Sequence, residues 1–132
     1  MQYFCPECFL PIPADACAQP CPRCGTVASE WEATHSYTER LIHALRHPNP
    51  EVRMGAILTL GNRGEARAAL PLAQCALAHP TDVVQGLEIV RSLRKLPNSL
   101  DRVAALALLL DHPARAIRRA ATREIAMVST TE

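Results

Sequence analysis

Leu41-Ile42-His43-Ala44-Leu45-Arg46-His47-Pro48-Asn49-Pro50-Glu51-Val52-Arg53 is the stretch from which the fold follows. Its His-Pro dipeptide returns at His79-Pro80 and again at His112-Pro113, after 32 and then 33 residues. A leucine stands two residues before each of these histidines (Leu45, Leu77, Leu110), and a β-branched aliphatic five residues after it (Val52, Val84, Ile117). Thr38, Leu70 and Val103 lie nine residues before, and Leu41, Ala73 and Leu106 six before. Positions −9, −6 and −2 form one face of a helix, so each His-Pro closes a helical segment. A period of this length is the mark of a repeat architecture.

After each His-Pro a second helical pattern begins, so every unit reads as helix, turn, helix. Proline explains the turn: it lacks an N–H, disfavours helical geometry in the residue before it, and suits the first turn of the next helix. The histidine is expected at the negative end of the preceding helix dipole, where a polar or partly protonated ring is favoured. Helices are expected near 37–47, 50–61, 64–79, 82–96, 99–111 and 114–128. Ser36 or Thr38 can cap the first. Gly61-Asn62-Arg63-Gly64 reads as a helix stop, since it lacks the Lys-Ser/Thr and the preceding strand of a phosphate loop. Ala66, Leu70, Ala73 and Leu77 are expected on one face, as are Ile117, Ala121, Glu124 or Ile125, and Val128.

The units resemble the HEAT-repeat family, in particular its short bacterial form also found in phycobilin lyases. The signature is clearest over Leu41–Arg53 with Ala56, Leu60 and Gly61, and fades where Gln85 replaces the arginine seen at Arg53 and Arg118. The resemblance implies an all-α fold, a short α-solenoid of three helical hairpins with a curved surface; it implies no reaction. Neither face of a single hairpin can be buried alone, and stacking supplies the core.

Before the helices, Cys5, Cys8, Cys21 and Cys24 give the spacing C-x2-C-x12-C-x2-C. Two intervening residues let a tight turn bring both sulfurs of a pair to about 2.3 Å from a zinc ion. Gly25 can take the positive φ that closes such a turn. The segment is too short to bury a core, so the metal would supply much of its folding free energy. It is similar to the small bacterial zinc ribbons with Cys-Pro-x-Cys knuckles and an Ile-Pro-x-Asp-Ala linker, here Ile12 to Ala16. That resemblance implies a structural, closed four-sulfur Zn2+ site. Cys17 in place of Cys21, a disulfide framework, and iron in a rubredoxin-like site are the alternatives at this level. The chain thus divides into a ribbon at 1–33 and a helical array at 34–132. Thr26–Ser36 reads as a short polar joint, with Trp31 packing the ribbon on the first helix. Cys75, among Ala and Leu, reads as a small core residue.

Composition narrows the function. The sequence is 48% hydrophobic but only 4% aromatic, which favours close helix packing over a sheet sandwich. No apolar run reaches membrane-spanning length, the start shows no secretory pattern, and paired cysteines of this kind belong to a reducing compartment, so a cytoplasmic protein is expected. No histidine is paired with a glutamate in the manner of di-iron repeat hydroxylases, and no nucleophile has a base at useful spacing, so no catalytic residue is assigned. The net charge of +1 hides an asymmetry. Residues 1–51 carry three arginines against six acids, and residues 91–124 eight Arg or Lys against three acids. Arg115, Arg119 and Arg123 recur every fourth residue with Arg118 alongside; the plain reading is a solvated outer face with local pairs such as Arg94 with Asp101, and the functional reading makes these four arginines contacts for a partner protein. The reading is a non-enzymatic adaptor; nucleic-acid phosphate held by the ribbon and the basic last helix is the alternative.

Overall fold

The computed structural model describes residues 3–130, with the side chains of 128–130 outside the description. Two short strands, β1 (Tyr3–Phe4) and β2 (Pro11–Ile12), pair antiparallel with Tyr3 opposite Ile12. A 3-10 turn (Ala14–Ala16) leads to a second hairpin-like loop closed by a bridge between Pro20 and Val27. Seven helices follow: α1 (Ala28–Thr34), α2 (Tyr37–Ala44), α3 (Pro50–Arg63), α4 (Ala69–Ala78), α5 (Val83–Lys95), α6 (Leu100–Leu109) and α7 (Arg115–Thr130). Among the described residues no strand lies beyond Ile12.

Pairs α2–α3, α4–α5 and α6–α7 are the hairpins. They stack so that α4 packs on α6, while α3, α5 and α7 form a second row. This is a short all-α solenoid. Its continuous core runs through Ile57, Leu60, Leu72, Ile89, Leu106 and Ile117, each almost fully buried.

The helix ends follow local chemistry. Ser36 caps α2 in a reciprocal box with Glu39, while Thr38 is buried and donates to Glu65 Oε1 at 2.8 Å. Asn49, Asp82 and Ser99 cap α3, α5 and α6 through their side-chain oxygens. Gly64, at φ 64°, ends α3 in the left-handed conformation, so the Gly-Asn-Arg-Gly stretch is a helix stop.

Three expectations change. The joint at Thr26–Ser36 contains α1, which is tied to the N-terminal loops: Ser29 N–H donates to Cys17 O, and Trp31 Nε1 to Glu7 Oε2. The helix expected over 37–47 stops at Ala44, because residues 45–47 tighten into i→i−3 hydrogen bonds ahead of Pro48. The one expected over 64–79 begins as a 3-10 turn at Ala66–Ala68, and α4 buries Ala69, Leu72, Ala73 and Ala76, leaving Leu70 and Leu77 half-buried. In α7, Ile117, Ala121 and Glu124 are buried and Ile125 half-buried as expected; Val128's side chain lies outside the described residues.

The histidines act differently from the dipole expectation. His47 Nδ1 accepts from Asn49 N–H at 3.0 Å, and His112 Nδ1 from Ala114 N–H at 2.9 Å. The rings therefore serve the start of the following helix and need a neutral acceptor nitrogen. Burial, followed by the Arg53 charge, lowers the pKa of His47 in keeping with this. Six residues after each of these two histidines an arginine closes the turn. Arg53 Nη1 donates to His47 O and Pro48 O at 2.8 and 3.0 Å, and Arg118 Nη1 to His112 O and Pro113 O at 2.7 and 2.9 Å. Gln85, the departure in the middle unit, is the acceptor for Arg53 Nε at 2.9 Å and itself donates to Pro50 O.

Candidate metal centre

Each cysteine pair sits on a tight turn of the same design. Phe9 N–H donates to Cys5 O and Cys5 N–H to Leu10 O; in the second turn Gly25 N–H donates to Cys21 O and Cys21 N–H to Thr26 O. Both turns end on a residue at positive φ, Gly25 at 79° as expected and Phe9 at 64°. A phenylalanine there is strained, and its ring shows what holds it: it lies 5.1 Å from the His43 ring and 4.8 Å from that of His47.

The turns bring the four sulfurs together. All lie within 4.8 Å of one another, with Cys5 Sγ 3.6 Å from Cys24 Sγ and Cys8 Sγ 3.6 Å from Cys21 Sγ. A tetrahedral ion with zinc–sulfur distances of about 2.3 Å needs sulfur separations of about 3.8 Å, so the four donors can hold a metal ion and are compatible with zinc. None of the six cysteines is disulfide-bonded, and Cys17 is not part of the cluster. Cys5 and Cys21 are buried, while Cys24 reaches the surface.

The environment already favours thiolate at part of the site. The Thr26 hydroxyl, then its N–H, holds Cys24 at about 6, and backbone N–H groups, that of Cys24 first, lower Cys21. Loss of hydration pushes Cys8 up to about 12 and raises Cys5. A cluster of sulfurs this close cannot ionise fully without a cation among them, which is the chemistry of a metal site.

Aromatic side chains join this module to the helices. Phe4 meets the His47 ring edge-on at 4.5 Å. Trp31 Nε1 donates to Glu7 Oε2 at 3.0 Å while its ring stacks on His35 and approaches His43 at 5.1 Å, so Trp31 does pack the N-terminal loops onto α2. Tyr3 OH donates to Glu32 Oε1 on α1. The metal module thus covers the front of the first hairpin. Beside it, Trp31, His35, His43, Cys75 and His79 line a cleft of about 640 Å3; Cys75 is buried and donates to Leu45 O.

The four arginines marked for partner contact sit at the far end. Arg115, Arg118, Arg119 and Arg123 line an open groove on α7 with Thr122 between them. Arg118 is also occupied with the turn carbonyls, a role the sequence did not reveal. Glu124 is 3.9 Å from Arg94, so it is this residue, not Asp101, that faces Arg94. No helix among the described residues is long and apolar enough to cross a membrane.

With this geometry in view, residues 30–93 match the family model for HEAT repeats, which covers α2 to α4 and most of α1 and α5. The third hairpin, α6–α7, continues the same stack beyond the matched segment. Searches of curated proteins and of solved structures find no match.

Proposed function

We propose that this protein is a non-enzymatic adaptor of the cytoplasm: a zinc ribbon, residues 1–33, holding structural Zn2+ through Cys5, Cys8, Cys21 and Cys24, fused to a helical array, residues 34–132, that binds another protein. The observation that carries the reading is the array's polarity. One end is covered by the metal module, and the other presents Arg115, Arg118, Arg119 and Arg123 in an open groove. Four sulfur ligands fill a tetrahedral ion and leave no position for substrate, so the metal shapes the front end. HEAT repeats commonly present surfaces to other proteins, and the match over residues 30–93 supports the same use here.

Four arginines on one helix also suit phosphates, which keeps a nucleic-acid partner as the second reading. One pair of measurements separates them. Tagged protein is used to retrieve partners from its native host, and a retrieved protein is purified and titrated against wild-type and R115E/R119E/R123E chains. Loss of that complex in the variant supports the adaptor. Duplex or single-stranded DNA binding that weakens steeply with salt, with no protein retained, overturns it.

A further inference from the structure

The stacking geometry repeats, so the three hairpins can be compared position by position, counting from His47, His79 and His112. The side of α3 that meets α5 is fixed by contacts. Arg53 donates to Gln85, Ser92 Oγ donates to Ile57 O, and a Cβ added to Gly61 would meet Ser92 Oγ at 2.7 Å. The side of α5 that meets α7 includes Gly86, which lies against Ile117. Counted from the histidines, the stripe that faces the next hairpin sits at +6, +7, +10 and +14.

At +10 the residues are Ile57, Ile89 and Thr122: buried, buried, exposed. At +14 they are Gly61, Leu93 and Ala126, with the same course. At +7, Met54 and Gly86 give way to Arg119. The first helices change more gradually: Leu45 is 3% exposed, Leu77 half-buried and Leu110 38% exposed, and Thr38 is 6% exposed, Leu70 half-buried and Val103 45% exposed. The last hairpin therefore exposes an apolar strip on α6 and, on α7, Arg119 at a position that a further hairpin would cover, with Arg115 and Arg123, at +3 and +11, flanking that stripe. One atom marks the vacancy. Arg53 and Arg118 bind their turn carbonyls identically through Nη1, but Arg53 Nε donates to Gln85 of the next hairpin, whereas Arg118 Nε meets no acceptor among the described residues.

We infer that this end face is a stacking position filled by an amphipathic helix of another protein, whose carboxylates lie along the Arg115–Arg119–Arg123 edge and whose apolar stripe covers Val103 and Leu110. One partner carboxylate takes the place at Arg118 Nε that Gln85 takes at Arg53. The inference rests on the adaptor reading and specifies the partner's chemistry. Charge selects the occupant. Arginines recurring every fourth residue are spaced about 6 Å apart, and are matched by carboxylates four residues apart on a facing helix. No two acidic residues of this chain are three or four apart, so a second copy does not offer that edge. Nucleic acid would meet the arginines but gain nothing from Val103 and Leu110.

The test uses the full, zinc-loaded chain and a fluorescent helical peptide of about twenty residues, about 30 Å long, with three glutamates four apart beside a leucine stripe. Its twin carries glutamines instead. Saturable binding of the first peptide, weakened by roughly tenfold or more in the twin, in R119E/R123E and separately in Val103→Ser/Leu110→Ser, is expected. The Arg118 Nε–H resonance should shift with the glutamate peptide only. Absence of saturable binding overturns the inference. So does binding indifferent to Val103→Ser/Leu110→Ser with duplex DNA as the stronger ligand, or self-association of the chain abolished by the same substitutions. All variants are exposed-site changes, and their melting is checked beside the wild type. A natural partner whose binding survives all four substitutions leaves the adaptor standing and removes this face. Peptide binding with no protein partner does the reverse.

Discussion

Arg53 shows how one charged side chain can hold a solenoid turn. It is 5% exposed, and its guanidinium is satisfied by two carbonyls of its own turn and by Gln85 of the next hairpin. Gln85→Ala removes the Nε acceptor and leaves a buried charged donor unpaired, which should cost about 1–3 kcal/mol. The equivalent Arg118→Gln at the open end should cost less than about 1 kcal/mol, since water reaches that site. Urea titrations of both variants check the contrast, and equal losses would refute it. His79 supplies a pH dependence. Burial, then the Arg53 charge, lowers its pKa, with Asp82 opposing. A base whose folded pKa lies below its unfolded value of about 6.5 stabilises the fold fully above that pH, because only the unfolded chain takes up the proton as pH falls. The urea midpoint should therefore drop as pH is lowered from 6.5 toward the folded pKa. His47, lowered in the same direction, contributes to the same drop, so His79→Gln should reduce it and the His47/His79 double variant reduce it further.

The metal module and the first hairpin form the next unit up. Phe4, Phe9 and Trp31 lie against His43 and His47, so the ordering of the cysteine loops is also the covering of α2. Stripping the ion with a strong chelator, or Cys5→Ser, should release residues 3–27 and raise amide exchange in α1 and α2 while α5 to α7 stay protected; hydrogen-exchange mass spectrometry reads this directly. Uniform loss of protection would mean that the ends are not separable. Much of this unit was legible in the sequence, because two Cys-Pro-x-Cys turns and a recurring His-Pro each encode a local geometry. What stayed hidden needed three dimensions. α1 has only Ala28 and Trp31 as apolar anchors, and folds on contacts to Cys17 and Glu7. Ring nitrogens do not reveal their partners through spacing, so the histidines looked like C-terminal dipole partners when they accept from the next helix. Arg118 looked like surface charge because its task depends on carbonyls five and six residues back.

At the scale of the whole chain, coupling runs hairpin to hairpin, and α3 meets α5 at a close-packed joint. Gly61 lies in the last turn of α3 with nothing demanding a positive φ, so alanine would by propensity alone gain up to about 1 kcal/mol. Space decides otherwise. The added Cβ would meet Ser92 Oγ at 2.7 Å, Ser92 Cβ at 2.8 Å and the Ser92 backbone at 3.0 Å, and the hydroxyl is already held by Ile57 O. The helices must separate, and overpacking of this kind costs about 1–3 kcal/mol. Gly86→Ala would meet Ile117 Cδ1 and, at 3.0 Å, Ile117 Cγ1, in a side chain that is itself fully buried, so it should overpack the α5–α7 joint in the same way. In a stacked array the interface terms carry cooperativity. Gly61→Ala should thus loosen the joint between the metal-bearing first hairpin and the other two. Its calorimetric trace should divide into two transitions, of which chelator lowers only the first. A single transition, shifted as a whole by chelator in both wild type and variant, would show that the joint is not where the two ends are coupled.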